Sequence, residues 1–287
     1  MKNVKHLFAT LCVALLLFSG CQKDNTQISE SPQVQAVQEE ETYEIVEFPE
    51  TESTGLSTRS HQSCGKIYYG RKVHFAQGTA RAFVKVSRAG YTEEVGTILS
   101  ESVLQDLPDE DIVTVLDIPQ VGSRTHLKHV YLGYNPHGHP PVNIYTLPHF
   151  DIHFFTTTSA ERASIVTPTD ARLNIFPAAG YLPANYIPTA GVPQMGMHWE
   201  DITNPEFNGE RFTSTFVYGT LDGKVTFYEP MITAEYIRNT ASKYFPVKQP
   251  TKFAQTGYYA REYGLRKNGS ERQYEVVIRD FKMQRGS

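Results

Sequence analysis

Residues 64–287 predict a mainly β domain: a single antiparallel barrel or sandwich with a few short helices and one long loop rich in proline and glycine. Three observations lead there. Runs rich in Tyr, Phe and Val alternate apolar and polar residues with a period of two, as a strand with one buried face does. Asp-Gly and Asn-Gly pairs separate such runs, and these pairs suit the two-residue turns of β-hairpins. The span is about 220 residues, enough for one sizeable core and within the range of a single all-β domain.

Taken in order, residues 66–75 and 79–87 form a hairpin about Gln77-Gly78. Residues 99–105 make a short helix stopped by Pro108, with Ser100 as its N-cap. Strands follow at 113–118 and 127–134. Thr158 and Glu161 fit a capping box that opens another short helix. Residues 167–210 contain Pro168, Pro177, Pro183, Pro188, Pro193 and Pro205 and read as a long irregular loop, which in a compact domain is usually functional. Strands at 212–219 and 225–228 flank Asp222-Gly223, and Thr233 caps a helix running to about Arg238. Residues 258–265 and 274–281 form a last hairpin around Asn268-Gly269. Tyr68, Tyr69, Tyr258, Tyr259 and Tyr263 suit half-buried sheet positions better than a sugar-stacking platform.

The chemistry concentrates between Tyr134 and Phe155, where four of the ten histidines lie: His137, His139, His149 and His153. After Pro148 the pattern is strictly alternating. Phe150, Ile152 and Phe154 fall on one side of a strand; His149, Asp151 and His153 fall on the other. Imidazole and carboxylate are the ligands of Zn, Mn, Fe and Cu, and further ligands are available at His139, His198 and Glu229, each beside a turn or a strand end. Residues four apart on a strand lie roughly 13 Å apart, so His149 and His153 cannot share one ion on a straight strand. One or two members of that strand, joined by His198 and Glu229, form the expected site, with the leftover member orienting a ligand from outside. If the site is catalytic, Glu229 or Asp151 is the base. His137 belongs to ordinary Asn-Pro-His-Gly turn chemistry and is left out. Walker, Gly-x-Ser-x-Gly, dinucleotide and His-Glu-x-x-His signatures are absent. Asp151-Ile-His153 is similar to the Asp-x-His of metallophosphatases, whose other motifs are missing.

The chain opens with Lys2 and Lys5, an apolar run from Leu7 to Phe18, then Ser-Gly-Cys. A basic head and a short apolar run describe an export signal over residues 1–20. Leu17-Phe18-Ser19-Gly20-Cys21 resembles a lipobox, which implies lipid on Cys21, a membrane-lipid partner and a place in the cell envelope on the periplasmic or surface face. Without Lys2 and Lys5 the formal charge moves from −4 to −6, which argues against a nucleic-acid partner. Residues 21–63 are rich in Gln, Ser, Thr and Glu and read as a disordered tether. Cys64 then remains as a lone thiol, so no internal disulfide is available to the mature chain.

Five blocks resemble one bacterial secreted family: Tyr-Asn-Pro-His-Gly-His-Pro-Pro from Tyr134, Pro-His-Phe-Asp-Ile-His-Phe-Phe from Pro148, Gly-Val-Pro-Gln-Met-Gly-Met-His-Trp from Gly191, Phe-Val-Tyr-Gly-Thr-Leu-Asp-Gly-Lys-Val from Phe216, and Phe-Tyr-Glu-Pro-Met-Ile-Thr from Phe227. It is the domain of unknown function numbered 5602, also called the Thermus-type domain, and the resemblance spans about residues 66–284. It implies weight on His139, His149, Asp151, His153, His198 and Glu229, and implies no activity. Pro140 stands where that resemblance leads one to expect an acid. The expectation is therefore a lipid-anchored extracytoplasmic β domain whose His/Asp/Glu pocket binds a divalent transition metal. The other reading is a non-catalytic small-molecule-binding or homo-oligomeric assembly protein whose polar cluster is structural.

Overall fold

The computed structural model of the protein describes residues 43–48, 65–121 and 123–287. Five strands come first: β1 (Glu44–Phe48), β2 (Gly65–Tyr69), β3 (Val73–Phe75), β4 (Gly78–Val86) and β5 (Thr92–Ser100), followed by α1 (Glu101–Gln105). The chain then crosses to a second sheet through β6 (Ile112–Asp117), β7 (His129–Asn135) and β8 (His149–Phe155). After α2 (Ser159–Ala163) it adds β9 (Tyr186–Val192), β10 (Gly196–Asp201), β11 (Ser214–Leu221) and β12 (Lys224–Thr233). Past α3 (Ala234–Asn239) it returns to the first sheet with β13 (Ser242–Pro246). β14 (Gly257–Tyr259) precedes β15 (Glu262–Asn268) and β16 (Gln273–Arg279), and β17 (Lys282–Gln284) closes a small ribbon with β14.

The first sheet runs β1-β2-β4-β5-β16-β15-β13 with β3 beside β4, and the second runs β6-β7-β8-β12-β11-β10-β9. All these pairings are antiparallel. Both sheets keep free edges, so the architecture is a sandwich and not a closed barrel. Phe150, Ile152 and Phe154 point from β8 into the layer between the sheets, where they join Ala82, Val84 and Leu99 of the first sheet. The other side of β8 is enclosed as well: all seven of its residues are buried. Outside it, Tyr145 and Phe212 pack with Val217 and Met231 in a separate apolar cluster. The middle of the second sheet is thus covered on both faces, and the covered outer face is where the polar residues lie.

Local chemistry explains most of the elements. Asp222 and Gly223 both have positive φ (50° and 72°), the conformation a two-residue hairpin turn between β11 and β12 requires. Thr158 and Glu161 form the reciprocal capping box of α2, and Thr233 accepts the Tyr236 N–H to start α3. Ser100 precedes α1 but makes no cap hydrogen bond; its hydroxyl accepts the Thr79 N–H at 2.9 Å and meets Ser102.

Three expectations are corrected. Residues 167–210 are not one irregular loop, because the β9–β10 hairpin lies within them and extends the second sheet. Leu99 lies within β5, which ends at Ser100, and the helix begins only at Glu101; in β5 the polar run Thr92-Glu93-Glu94 conceals a buried strand in which Glu94 is held by Arg266 at 2.8 Å. Residues 44–48, placed in the tether, form β1 against β2. The export signal, Cys21, Cys64 and the remainder of the tether lie outside the described residues. Among the described residues no helix is long and apolar enough to cross a membrane.

His129 of β7 gives the fold a pH dependence of its own. It is buried, stacks on Phe155 at 4.9 Å, and is pushed down to about 4 by burial and by the charge of Arg162. The unfolded chain therefore binds this proton between about pH 6.5 and 4 while the folded chain does not, so stability falls as the pH drops through that window. The loss assignable to this ring is at most about 3 kcal/mol. His129→Phe is expected to flatten that part of the profile relative to the wild type, as read by urea unfolding at stepped pH; an unchanged slope would contradict the assignment.

Candidate metal centre

Four histidines and two carboxylates meet on the outer face of the second sheet. β8 supplies His149, Asp151 and His153, each two residues from the next and therefore on one side. Antiparallel registry with β12, in which Phe227 lies opposite Phe155 and Met231 opposite Asp151, brings Glu229 beside His153. β10 supplies His198, placed opposite Gly219 of β11. Gly219 is what lets a residue two strands away take part. A Cβ there would lie 1.9 Å from Phe227 Cε1, and in its absence the Phe227 ring lies over the glycine and against the imidazoles of His198 and His153, at 5.0 and 4.9 Å between centroids. His139 arrives from the loop between β7 and β8. Its N–H donates to the Tyr145 carbonyl at 2.9 Å, and Gly138 with φ +67° permits the approach, since a Cβ would lie 2.0 Å from that same oxygen.

The six residues form two groups. His139 Nε2 lies 3.3 Å from Asp151 Oδ2, and His149 Nε2 lies 3.1 Å from Asp151 Oδ1. His153 Nε2 lies 3.2 Å from Glu229 Oε1, and His198 Nε2 lies 3.6 Å from Glu229 Oε2. Within each group one ligand atom from every residue lies within 4.8 Å of the others, and either group could hold a metal ion. All six predicted site residues are therefore brought together, but not as one set. His149 and His153 belong to different groups, as strand geometry requires, and His139 completes the group of His149 and Asp151. Neither Asp151 nor His153 is a leftover orienting residue. His137 is elsewhere, with Nε2 at 3.3 Å from Asp109.

The hydrogen bonds behind the rings decide how these contacts should be read. His149 Nδ1 faces the Leu147 carbonyl at 2.7 Å, His139 Nδ1 the Pro140 carbonyl at 2.7 Å, His153 Nδ1 the Tyr131 carbonyl at 3.2 Å and His198 Nδ1 the Ala190 carbonyl at 3.2 Å. A carbonyl only accepts, so each Nδ1 carries the hydrogen and donates. In the neutral ring Nε2 then presents a lone pair, and all four Nε2 atoms face a carboxylate. Acceptors confront acceptors. Accordingly His149 Nε2, Asp151 Oδ1, His153 Nε2 and Glu229 Oε2 are buried without a hydrogen-bond partner. Asn135 adds one neutral donor, Nδ2 to Asp151 Oδ2 at 2.6 Å.

Without a cation, protons must fill the gaps. Burial pulls His139 down, but the hydrogen bond and charge of Asp151 outweigh it and raise it to about 9. Burial also opposes ionisation of Asp151, yet His149 and His139 hold it well below the usual carboxylate range. Burial pushes Glu229 well above that range, helped by Asp151 and Glu200. Burial lowers His153 to about 3, with His198 adding to the effect, and lowers His198 to about 4. With His153 and His198 held neutral and burial opposing ionisation of Glu229, this inner group lacks the hydrogens to satisfy all its acceptors. A divalent cation matches its donor set, two imidazole nitrogens and a carboxylate.

Two further residues belong to the surroundings. Glu200 follows His198 by two positions on β10 and is buried; Thr189 Oγ1 donates to its Oε1 at 2.9 Å while Oε2 has no partner. Burial pushes its carboxyl up to about 7. Tyr145 is wholly buried and its hydroxyl is likewise unpartnered. The alternation of His198 and Glu200 was a readable signal for the first. For Tyr145 the sequence carries none.

No family model, no curated protein and no solved structure matches the chain. The reading of the site therefore rests on its own geometry.

Gly219→Ala is expected to lower the unfolding free energy by about 2 kcal/mol, because the added methyl must displace the Phe227 ring. Gly269→Ala, where a Cβ meets nothing within 4 Å, serves as the control with little change. Equal effects of the two substitutions in urea unfolding would refute this role for Gly219.

Proposed function

We propose that the protein is a metal-binding protein of the cell envelope, held to the membrane through lipid on Cys21, whose six residues His139, His149, Asp151, His153, His198 and Glu229 bind a divalent transition metal. The observation that supports this most is the convergence of four Nε2 atoms on the carboxyl groups of Asp151 and Glu229, each ring locked from behind by a backbone carbonyl, with His149 Nε2 and His153 Nε2 buried and unpartnered. Imidazole and carboxylate favour Zn, Mn, Fe or Cu over Ca or Mg, which prefer sets of oxygen ligands. A bound ion of this class polarises an oxygen or activates water.

The carboxylates first considered as bases, Asp151 and Glu229, are directed at imidazole nitrogens and act as ligands. Glu200 takes the place of candidate base, being a buried carboxylate two residues from His198 with an oxygen left over. His153, Glu229 and His149 fix ligand direction, and the rings of Phe227, Phe155 and Phe212 exclude water around them. A second reading, a non-catalytic protein that binds a small ligand or assembles with copies of itself, draws on one feature: the inner group of His153, His198 and Glu229 is nearly sealed, with side-chain exposures of 1%, 12% and 1%. Sealed metal sites hold structure together; open ones react.

Two measurements test the metal. Elemental analysis of protein reconstituted with zinc or manganese is expected to find near-stoichiometric ion, reduced in both His149→Ala and His198→Ala; wild-type protein that stays metal-free would overturn the proposal. Saturating metal at about a thousand times its Kd is expected to add about 4 kcal/mol of stability, a Tm rise of roughly 10 °C for a domain of this size, reversed by chelation.

A further inference from the structure

We infer that the two groups hold separate ions of unequal lability: an exchangeable, solvent-facing ion at His139, His149 and Asp151, and a retained structural ion at His153, His198 and Glu229. This rests on the metal-binding reading above and adds a division of labour to it. The donors divide evenly between two ions. Each group supplies two imidazoles and one carboxylate within 4.8 Å of one another, and no residue is shared between them. His149 and His153, four apart on β8, are separated by roughly 13 Å along a straight strand, too far to serve one ion.

The two groups also draw their ligands from different parts of the fold. His153, Glu229 and His198 belong to β8, β12 and β10, strands in the interior of the second sheet with neighbours on both sides. Freeing an ion from them requires the sheet or the aromatic cover of Phe155 and Phe227 to open. The other group draws His149 and Asp151 from β8 but takes His139 from the loop between β7 and β8. That imidazole is the most exposed of the six, at 34%, against 0% for His149 and 9% for Asp151. Its remaining polar contact is local, Nδ1 to the Pro140 carbonyl of the next residue. A loop histidine can swing out while both strands stay paired, and local opening costs less than opening a sheet.

Chemistry agrees with this placement. A site that reacts keeps one coordination position open to solvent, whereas a site that stabilises is enclosed. The group with His139 has the more open side, 34% exposure at that imidazole against 12% at His198.

The test is ion release from the full-length chain loaded with zinc, followed by absorbance of a chromogenic chelator in excess. The expected result is two phases of about one ion each, the rates differing at least about tenfold, the slower tracking opening of the sheet. His139→Ala should abolish the fast phase and retain the slow one; the residue lies on a loop and is half-buried, and circular dichroism checks that the variant folds. In cobalt-loaded protein, added azide should shift the visible spectrum of the wild type and leave that of His139→Ala unchanged. Two ions leaving in a single phase, or His139→Ala removing the slow phase, would overturn the inference. One ion per chain would overturn it too while leaving the metal-binding reading intact; no bound ion would sink that reading itself.

Discussion

Four imidazole rings, each donating its Nδ1 hydrogen to a backbone carbonyl, turn their remaining nitrogens toward two buried carboxylates. Burying a carboxylate against neutral acceptors is among the more costly things a fold can do, because neither side supplies a hydrogen. The arrangement is tolerable when cations or protons lie between the acceptors. Most of the second sheet's outer face follows from that constraint. Phe155, Phe227 and Phe212 shield the rings, Asn135 donates to Asp151, and Tyr145 anchors the loop that brings in His139.

The sandwich makes this possible by freeing β8 from having to build only the core. One face of the strand, Phe150, Ile152 and Phe154, fills the space between sheets. The opposite face can then carry His149, Asp151 and His153 without weakening it. Since β8 and β12 are neighbours in the middle of the sheet, their ligands are held by paired backbone on both sides. β11 lies between β12 and β10, and the missing side chain of Gly219 leaves room for the Phe227 ring on which His198 packs. Two groups of three ligands thus arise from one strand with a period of two, joined on one side by inner strands and on the other by a loop.

Much of this could be read from the sequence because it is local. The alternation after Pro148 gave both faces of β8, Asp222-Gly223 marked the β11–β12 turn, and Thr158 and Thr233 marked the starts of α2 and α3. The six candidate ligands were legible as residue types near turns and strand ends. What was not legible depends on pairing. Nothing local says that His139 joins His149 while His153 joins His198, since strand register decides it. β10 is obscured because Gly191, Pro193 and Gly196 interrupt the pattern around Met197-His198-Trp199, although the alternation of His198 and Glu200 within it is readable. The choice between barrel and sandwich was open for the same reason: it depends on whether β6 and β9 meet, and they remain the two edges of their sheet.

The central claim is that cations fill the spaces between imidazole and carboxylate, and anomalous diffraction from a crystal of metal-loaded protein addresses it most directly. The account predicts two anomalous peaks, one among His139, His149 and Asp151 and one among His153, His198 and Glu229, each about 2.0–2.2 Å from the Nε2 atoms. Peaks at neither position, with the imidazoles instead turned to donate Nε2 hydrogens to Asp151 and Glu229, would contradict it.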